Sequence, residues 1–192
     1  MWKVWSGRLP YEDIVHSSRR RVPRRVTHRG TIQASKLWIP SRDTGVDLLV
    51  SDHKSRRTVS LQVKFSKDFL VTHVKPEFQK SLRACGWWTI NRDKLQTSPA
   101  DFWVFVLLGF DRRSKDYVII PPKELLRRLE SIHGSQKTIQ SYLWVTTSEN
   151  CWETRGLKSG DQLRLGEGRY RNPTRNLTKW LNNWTPVERL NY

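Results

Sequence analysis

Thr44-Gly45-Val46-Asp47-Leu48-Leu49-Val50 and Val59-Ser60-Leu61-Gln62-Val63-Lys64-Phe65-Ser66 are the two stretches on which the fold turns. In the second, Val59, Leu61, Val63 and Phe65 alternate strictly with Ser60, Gln62, Lys64 and Ser66. That period of two predicts a strand at 58–66 with one apolar face. The first is an apolar run interrupted by one acid and predicts a strand at 45–51. The polar stretch Asp52–Arg57 between them reads as the turn that pairs the two. Residues two apart on a strand point the same way, about 6–7 Å apart. Gln62 and Lys64 therefore share a face, and Val63 turns into the core behind them. Pairing through the turn brings Asp47 towards Gln62.

Working outward, Asp101-Phe102-Trp103-Val104-Phe105-Val106-Leu107-Leu108 is continuously apolar after its first residue, as expected of a strand buried on both faces. Tyr117–Ile120 and Ile139–Thr146 read as further strands. Lys123–Glu130 reads as a helix, with Pro122 near its first turn and Leu125, Leu126 and Leu129 on one face. Shorter helices are expected at Tyr11–Ser18, from Gly30 to Trp38 before Pro40, from Glu77 to Ala84, and as one or two segments over Thr174–Leu190. Residues 1–30 read as a basic, otherwise irregular segment and 31–192 as a single domain. Strands flanked by helices at both ends predict an α/β or α+β sandwich around a mixed sheet.

The chain has 192 residues and a net charge of +17, with 36% apolar residues. A domain of this size buries about 70% of its unfolded surface. A charge of this size on an ordinary globular composition favours a polyanionic partner, nucleic acid before an anionic membrane. No apolar run approaches the roughly 18 residues that span a bilayer. Met1–Gly7 lacks a long apolar core, so no signal peptide is expected and a cytoplasmic location is. The two cysteines, Cys85 and Cys151, exclude a disulfide scaffold and a four-cysteine zinc site within one chain. The five histidines show no metal-ligand spacing. Of the ten tryptophans, Trp87, Trp88 and Trp103 read as core, while Trp152, in a polar stretch, is the better candidate for stacking on a base.

An aspartate carboxylate and a glutamine carbonyl are hard oxygen donors suited to Mg²⁺, an ion that keeps several of its waters. A lysine beside them can orient a water or neutralise charge on a phosphorane. Two plainer readings stand beside this one. Asp47 can be a turn-flanking acid at a strand start, since aspartate is disfavoured inside strands. Gln62 and Lys64 can be the solvated face of an amphipathic strand.

Gly45-Val46-Asp47 followed by Leu61-Gln62-Val63-Lys64 resembles the PD-(D/E)xK nuclease superfamily, whose pattern is an acid on one strand and acid-x-Lys on the next. Here Gln62 stands where the second acid is usual. The resemblance covers about 25 residues well. It implies a restriction endonuclease-like mixed sheet flanked by helices, Mg²⁺ dependence (with Mn²⁺ as a substitute) and endonucleolytic cleavage of DNA. Asp47, Gln62 and Lys64 would be catalytic, with Asp47 and Gln62 on the metal. Members often add a glutamate from the first helix, for which Glu12 is the candidate; Asp43 and Glu77 are alternative compensating acids. Arg19, Arg20, Arg21, Arg24, Arg25, Lys67, Lys75 and Lys80 are the candidate phosphate contacts, and His73 lies near enough in sequence to assist. Cutting both strands with one small site calls for a homodimer, and restriction, defence, junction-resolving or repair roles bring a partner protein into view. The alternatives are a nucleic-acid-binding module without catalysis and a basic structural protein of a nucleoprotein particle.

Overall fold

The computed structural model describes residues 3–6, 36–41, 44–66, 80–111 and 113–191. The fold is mixed α/β. Among the described residues, strands form one six-stranded and one three-stranded sheet. The larger runs β1 (Lys3–Ser6), β2 (Lys36–Ile39), β3 (Leu48–Ser51), β4 (Thr58–Phe65), β6 (Phe102–Leu108) and β7 (Lys115–Ile120). It is antiparallel except where β4 and β6 lie parallel. The smaller is antiparallel, with β5 (Leu82–Asn91), β8 (Thr138–Thr146) and β9 (Cys151–Glu153). Helices α1 (Arg92–Gln96), α2 (Pro122–His133), α3 (Ser159–Gly166) and α4 (Thr185–Glu188) accompany them, with single 3-10 turns at Thr178–Trp180 and Arg189–Asn191.

One face of the larger sheet buries Trp103, Phe105, Leu107, Val118 and Ile120 against β5, β8 and α2. Its other face buries Leu48, Val50, Leu61, Val104, Val106 and Ile119 under Trp184 and Leu190 of the C-terminal tail. Each fully buried side chain of this size contributes about 1.5–3 kcal/mol relative to leaving it in water. The β3–β4 turn is fixed by Asp52, whose Oδ1 accepts from the amides of Arg56 at 2.6 Å and Arg57 at 3.3 Å. The tail is tied to the smaller sheet through Glu153. That side chain is 1% exposed, and it accepts from Arg175 Nη1 at 2.6 Å and lies 3.1 Å from His133 Nε2. A carboxylate this deeply buried needs such a cation.

Several sequence expectations hold closely. The turn lies at 52–57, β4 covers 58–65, β6 and β7 contain the two apolar runs, and α2 begins at Pro122. Others do not. The helix expected from Gly30 to Trp38 gives way at Lys36–Ile39 to β2, and that expected from Glu77 to Ala84 gives way at Leu82 to β5. Both strands are stabilised by distant partners, β3 and β8, that local composition does not reveal. Lys3–Ser6, expected to be irregular, pairs with β2. The tail, expected as one or two helical segments, holds the short helix α4 and the two 3-10 turns. The helix expected at Tyr11–Ser18 lies outside the described residues.

Candidate functional site

Asp47 immediately precedes β3, where Leu48 pairs with Leu61 of β4. Gly45, just upstream, has a φ of +79°, and a Cβ there would come within 3.2 Å of Pro99 Cδ. Glycine is thus the residue that lets the chain pass Pro99 into the site. The Asp47 amide donates to the Leu61 carbonyl at 2.9 Å. Its Oδ2 accepts from the Val63 amide at 2.7 Å. Beyond Leu61, β4 has outrun β3, and the carboxylate takes up a strand N–H that the ladder no longer serves. An ionised acceptor makes this a strong hydrogen bond. It also sets the anion against the backbone between Gln62 and Lys64.

Gln62 and Lys64 pair across the parallel ladder with Trp103 and Phe105. Both partners belong to the core shared with the second sheet, which identifies the face that carries Gln62 and Lys64. Lys64 Nζ lies 5.0 Å from the centre of the Trp103 ring. Trp103 is itself pinned, its indole Nε1 donating to Ser98 Oγ at 2.8 Å. A cation over an indole face gains about 0.5–2 kcal/mol, more as water is excluded. Asp47, Gln62 and Lys64 are all half-buried: shielded enough to be positioned, open enough to be reached. The structure brings these three residues to one end of the β3–β4 hairpin.

The wider set of predicted residues divides differently. Glu12, Arg19, Arg20, Arg21, Arg24, Arg25, Asp43, Lys67, His73, Lys75 and Glu77 lie outside the described residues. Lys80 is exposed in the turn before β5. Among the described residues no three His, Cys, Asp or Glu side chains gather as a metal-binding group. The oxygen donors at the hairpin end are therefore one carboxylate and one amide. Both are hard ligands compatible with Mg²⁺, whose shell water and substrate phosphate commonly complete. A carboxylate has about four acceptor positions, so the bond to Val63 leaves Asp47 able to ligate.

Trp152 corrects an expectation. It is 7% exposed and meets Tyr170 edge-on with ring centres 5.2 Å apart, so it is core rather than a stacking surface. Burial pushes the Cys85 thiol up to about 12 and raises Cys151 as well, which leaves both protonated and unsuited to nucleophilic chemistry.

Two contributors escaped the sequence reading. Asp101 Oδ2 accepts from the amide and hydroxyl of Ser60 at 2.8 and 2.7 Å, and Asp101 N donates back to the Ser60 carbonyl. This clasp sets the register of β4 against β6, and so the placement of Gln62 and Lys64 over Trp103. Trp38 of β2 shares the face of Gln62 and Lys64. Its signal was a lone aromatic in a four-residue strand, too short to show a period.

Among the described residues no helix is long and apolar enough to cross a membrane. Compared with known proteins, the chain matches no family model, no curated sequence and no solved structure.

Proposed function

We propose that this chain is a Mg²⁺-dependent DNA endonuclease of restriction endonuclease-like fold. The observation that carries the reading is the Asp47 carboxylate anchored at Val63 between Gln62 and Lys64. The charge of +17 supplies the attraction for a polyanion.

Asp47 and Gln62 would hold the ion through a carboxylate oxygen and Oε1. When bound, Mg²⁺ supplies Lewis-acid charge at the scissile phosphate. Lys64 orients the attacking water and offsets the negative charge that develops on the phosphoryl oxygens. Trp103 beneath the ammonium limits its wandering, which keeps it aimed. Hydrolysis then breaks one P–O bond, the water oxygen remaining on phosphorus and a proton passing to the leaving oxygen.

The test is incubation of the full chain with supercoiled plasmid and each divalent ion in turn. Nicked or linear product is expected with Mg²⁺ or Mn²⁺ and none with EDTA. Lys64→Ala should lower the rate by about 100-fold or more while DNA affinity changes little. Undiminished cleavage by that variant would refute the assignment.

One observation favours a second reading. Among the described residues a single carboxylate lies at the hairpin end, few for a divalent ion, which fits a nucleic-acid-binding module that keeps the sheet without the chemistry. That module binds DNA with a steep salt dependence and cleaves it with no ion.

A further inference from the structure

The β2–β4 half of the larger sheet presents a face that neither core cluster claims among the described residues. Register places Trp38, Leu49 and Ser60 in one cross-strand row and Lys36, Ser51 and Thr58 in the next. Alternation along β4 continues the same face to Gln62 and Lys64. On the β6–β7 half this face is covered by the second sheet, whereas Trp38 and Leu49 stay half-buried. With Ser51, Ser55 and Thr58 they line an open depression of about 260 Å³. The Trp38 ring is not loose, because its Nε1 donates to Ser51 Oγ at 3.1 Å and Ser51 is 2% exposed. An indole held by a buried hydroxyl is a planar surface with little rotamer entropy left to lose.

Cations lie beside it: Lys36 Nζ reaches Ser55 Oγ at 3.1 Å, and Lys54 and Arg56 are exposed in the adjoining turn. The distance to the candidate site follows from the lattice of the sheet. Trp38 is two strands from β4 and one two-residue step short of Gln62, which is roughly 12 Å. About two nucleotides of an extended strand bridge that gap.

Resting on the nuclease reading above, we propose that Trp38 is a stacking platform for an unpaired base, so that the substrate engaged at Lys64 is single-stranded or locally opened DNA. A paired base keeps both its faces in the duplex stack and offers none to an indole. An unpaired base gains from stacking on an aromatic side chain whatever its identity. The basic turn takes the phosphates on either side and adds affinity without sequence preference. The alternative, a half-buried aromatic that merely completes a sheet, has no partner cluster to complete among the described residues.

The experiment uses the full chain with Lys64→Ala, which blocks cleavage, and a dT 12-mer carrying one 2-aminopurine, single-stranded or paired with its complement. Saturating protein should quench the probe in the single strand. Adding Trp38→Ala should abolish the quenching and weaken single-strand binding by about tenfold. Duplex affinity should shift less than twofold, and Trp38→Phe should keep most of the effect. Quenching unchanged by Trp38→Ala, or equal losses on single strand and duplex, would overturn the proposal. Should Trp38→Ala fail to fold, the Phe variant and the quenching in the Lys64→Ala parent still decide it, because an unquenched single strand at saturation refutes stacking. The readout is binding alone. A wild type that stacks the probe but cleaves nothing therefore removes the nuclease reading and leaves this one standing.

Discussion

Asp47 does two jobs that substitutions can separate. Its charge is what a cation would need, and its oxygen is what the Val63 amide needs. Asn at this position keeps a carbonyl acceptor and loses the charge; Ala loses both. A hydrogen bond from a backbone N–H to a charged acceptor is worth about 1.5 kcal/mol or somewhat more. Asp47→Ala should therefore be destabilised by about that amount in urea melts, and Asp47→Asn by less than half of it. Equal losses would mean that the bond to Val63 does not hold the hairpin end. The spacing of Asp47, Gln62 and Lys64 was legible because β4 keeps a strict period of two, and one period fixes which residues share a face. Asp101 was not legible, because it reads as the polar boundary of a buried strand. Only the parallel neighbour Ser60, 41 positions away, reveals its clasp.

At the level of elements, α2 and β5 mark the two extremes of legibility. The helix carries its own signals: Pro122 at the first turn, and Leu125 and Leu129 buried on one side. It also carries an ion cluster in which Glu124 bonds Arg127 and Arg128. Hydrogen bonding from Arg127, assisted by Arg128, lowers the Glu124 carboxyl to about 2 against the cost of partial burial. A depressed folded-state value means that the stabilisation is complete above the unfolded value near 4.5 and is lost as pH falls towards 2. Glu124→Gln should flatten that limb of a stability–pH curve and leave it unchanged in shape above pH 5. A wild-type limb that persists in the variant would assign the acid sensitivity elsewhere. By contrast β5 hides behind local helix formers at Leu82–Ala84, and nine ladder pairs with β8 outweigh them. Its Gly86 looks like a strand breaker. In the fold it is the only residue type that fits, since a Cβ there would run into the Trp88 ring. Gly86→Ala should cost about 1–3 kcal/mol by overpacking, measured by urea denaturation. A neutral result would mean that Trp88 can move aside, which its edge-to-face contact with Phe105 at 4.9 Å argues against.

Across the whole molecule, composition points to a polyanionic partner, and the two sheets position the candidate site. The charge of +17 is an electrostatic statement with a measurable slope. Each phosphate neutralised contributes about −0.9 to the dependence of log affinity on log salt for duplex DNA. Replacing Arg56 and Arg57 by Gln should make that slope shallower by about one to two while leaving cleavage chemistry intact; an unaltered slope would take the β3–β4 turn out of the contact surface. What composition could not give was the division into two sheets, or which half of the large sheet the second sheet leaves uncovered among the described residues. Both depend on β5 and β8 packing over β6 and β7.

The central claim is that the Asp47 carboxylate, with Gln62 and Lys64 beside it, makes a hydrolytic site. It is tested most directly by the first-order rate of plasmid nicking in Mg²⁺ for the wild type and Asp47→Asn, at matched folded fractions. The account predicts a fall of about 100-fold or more, with nicking by the wild type abolished by EDTA. Equal rates for the two proteins would contradict it, as would nicking that continues unabated in EDTA.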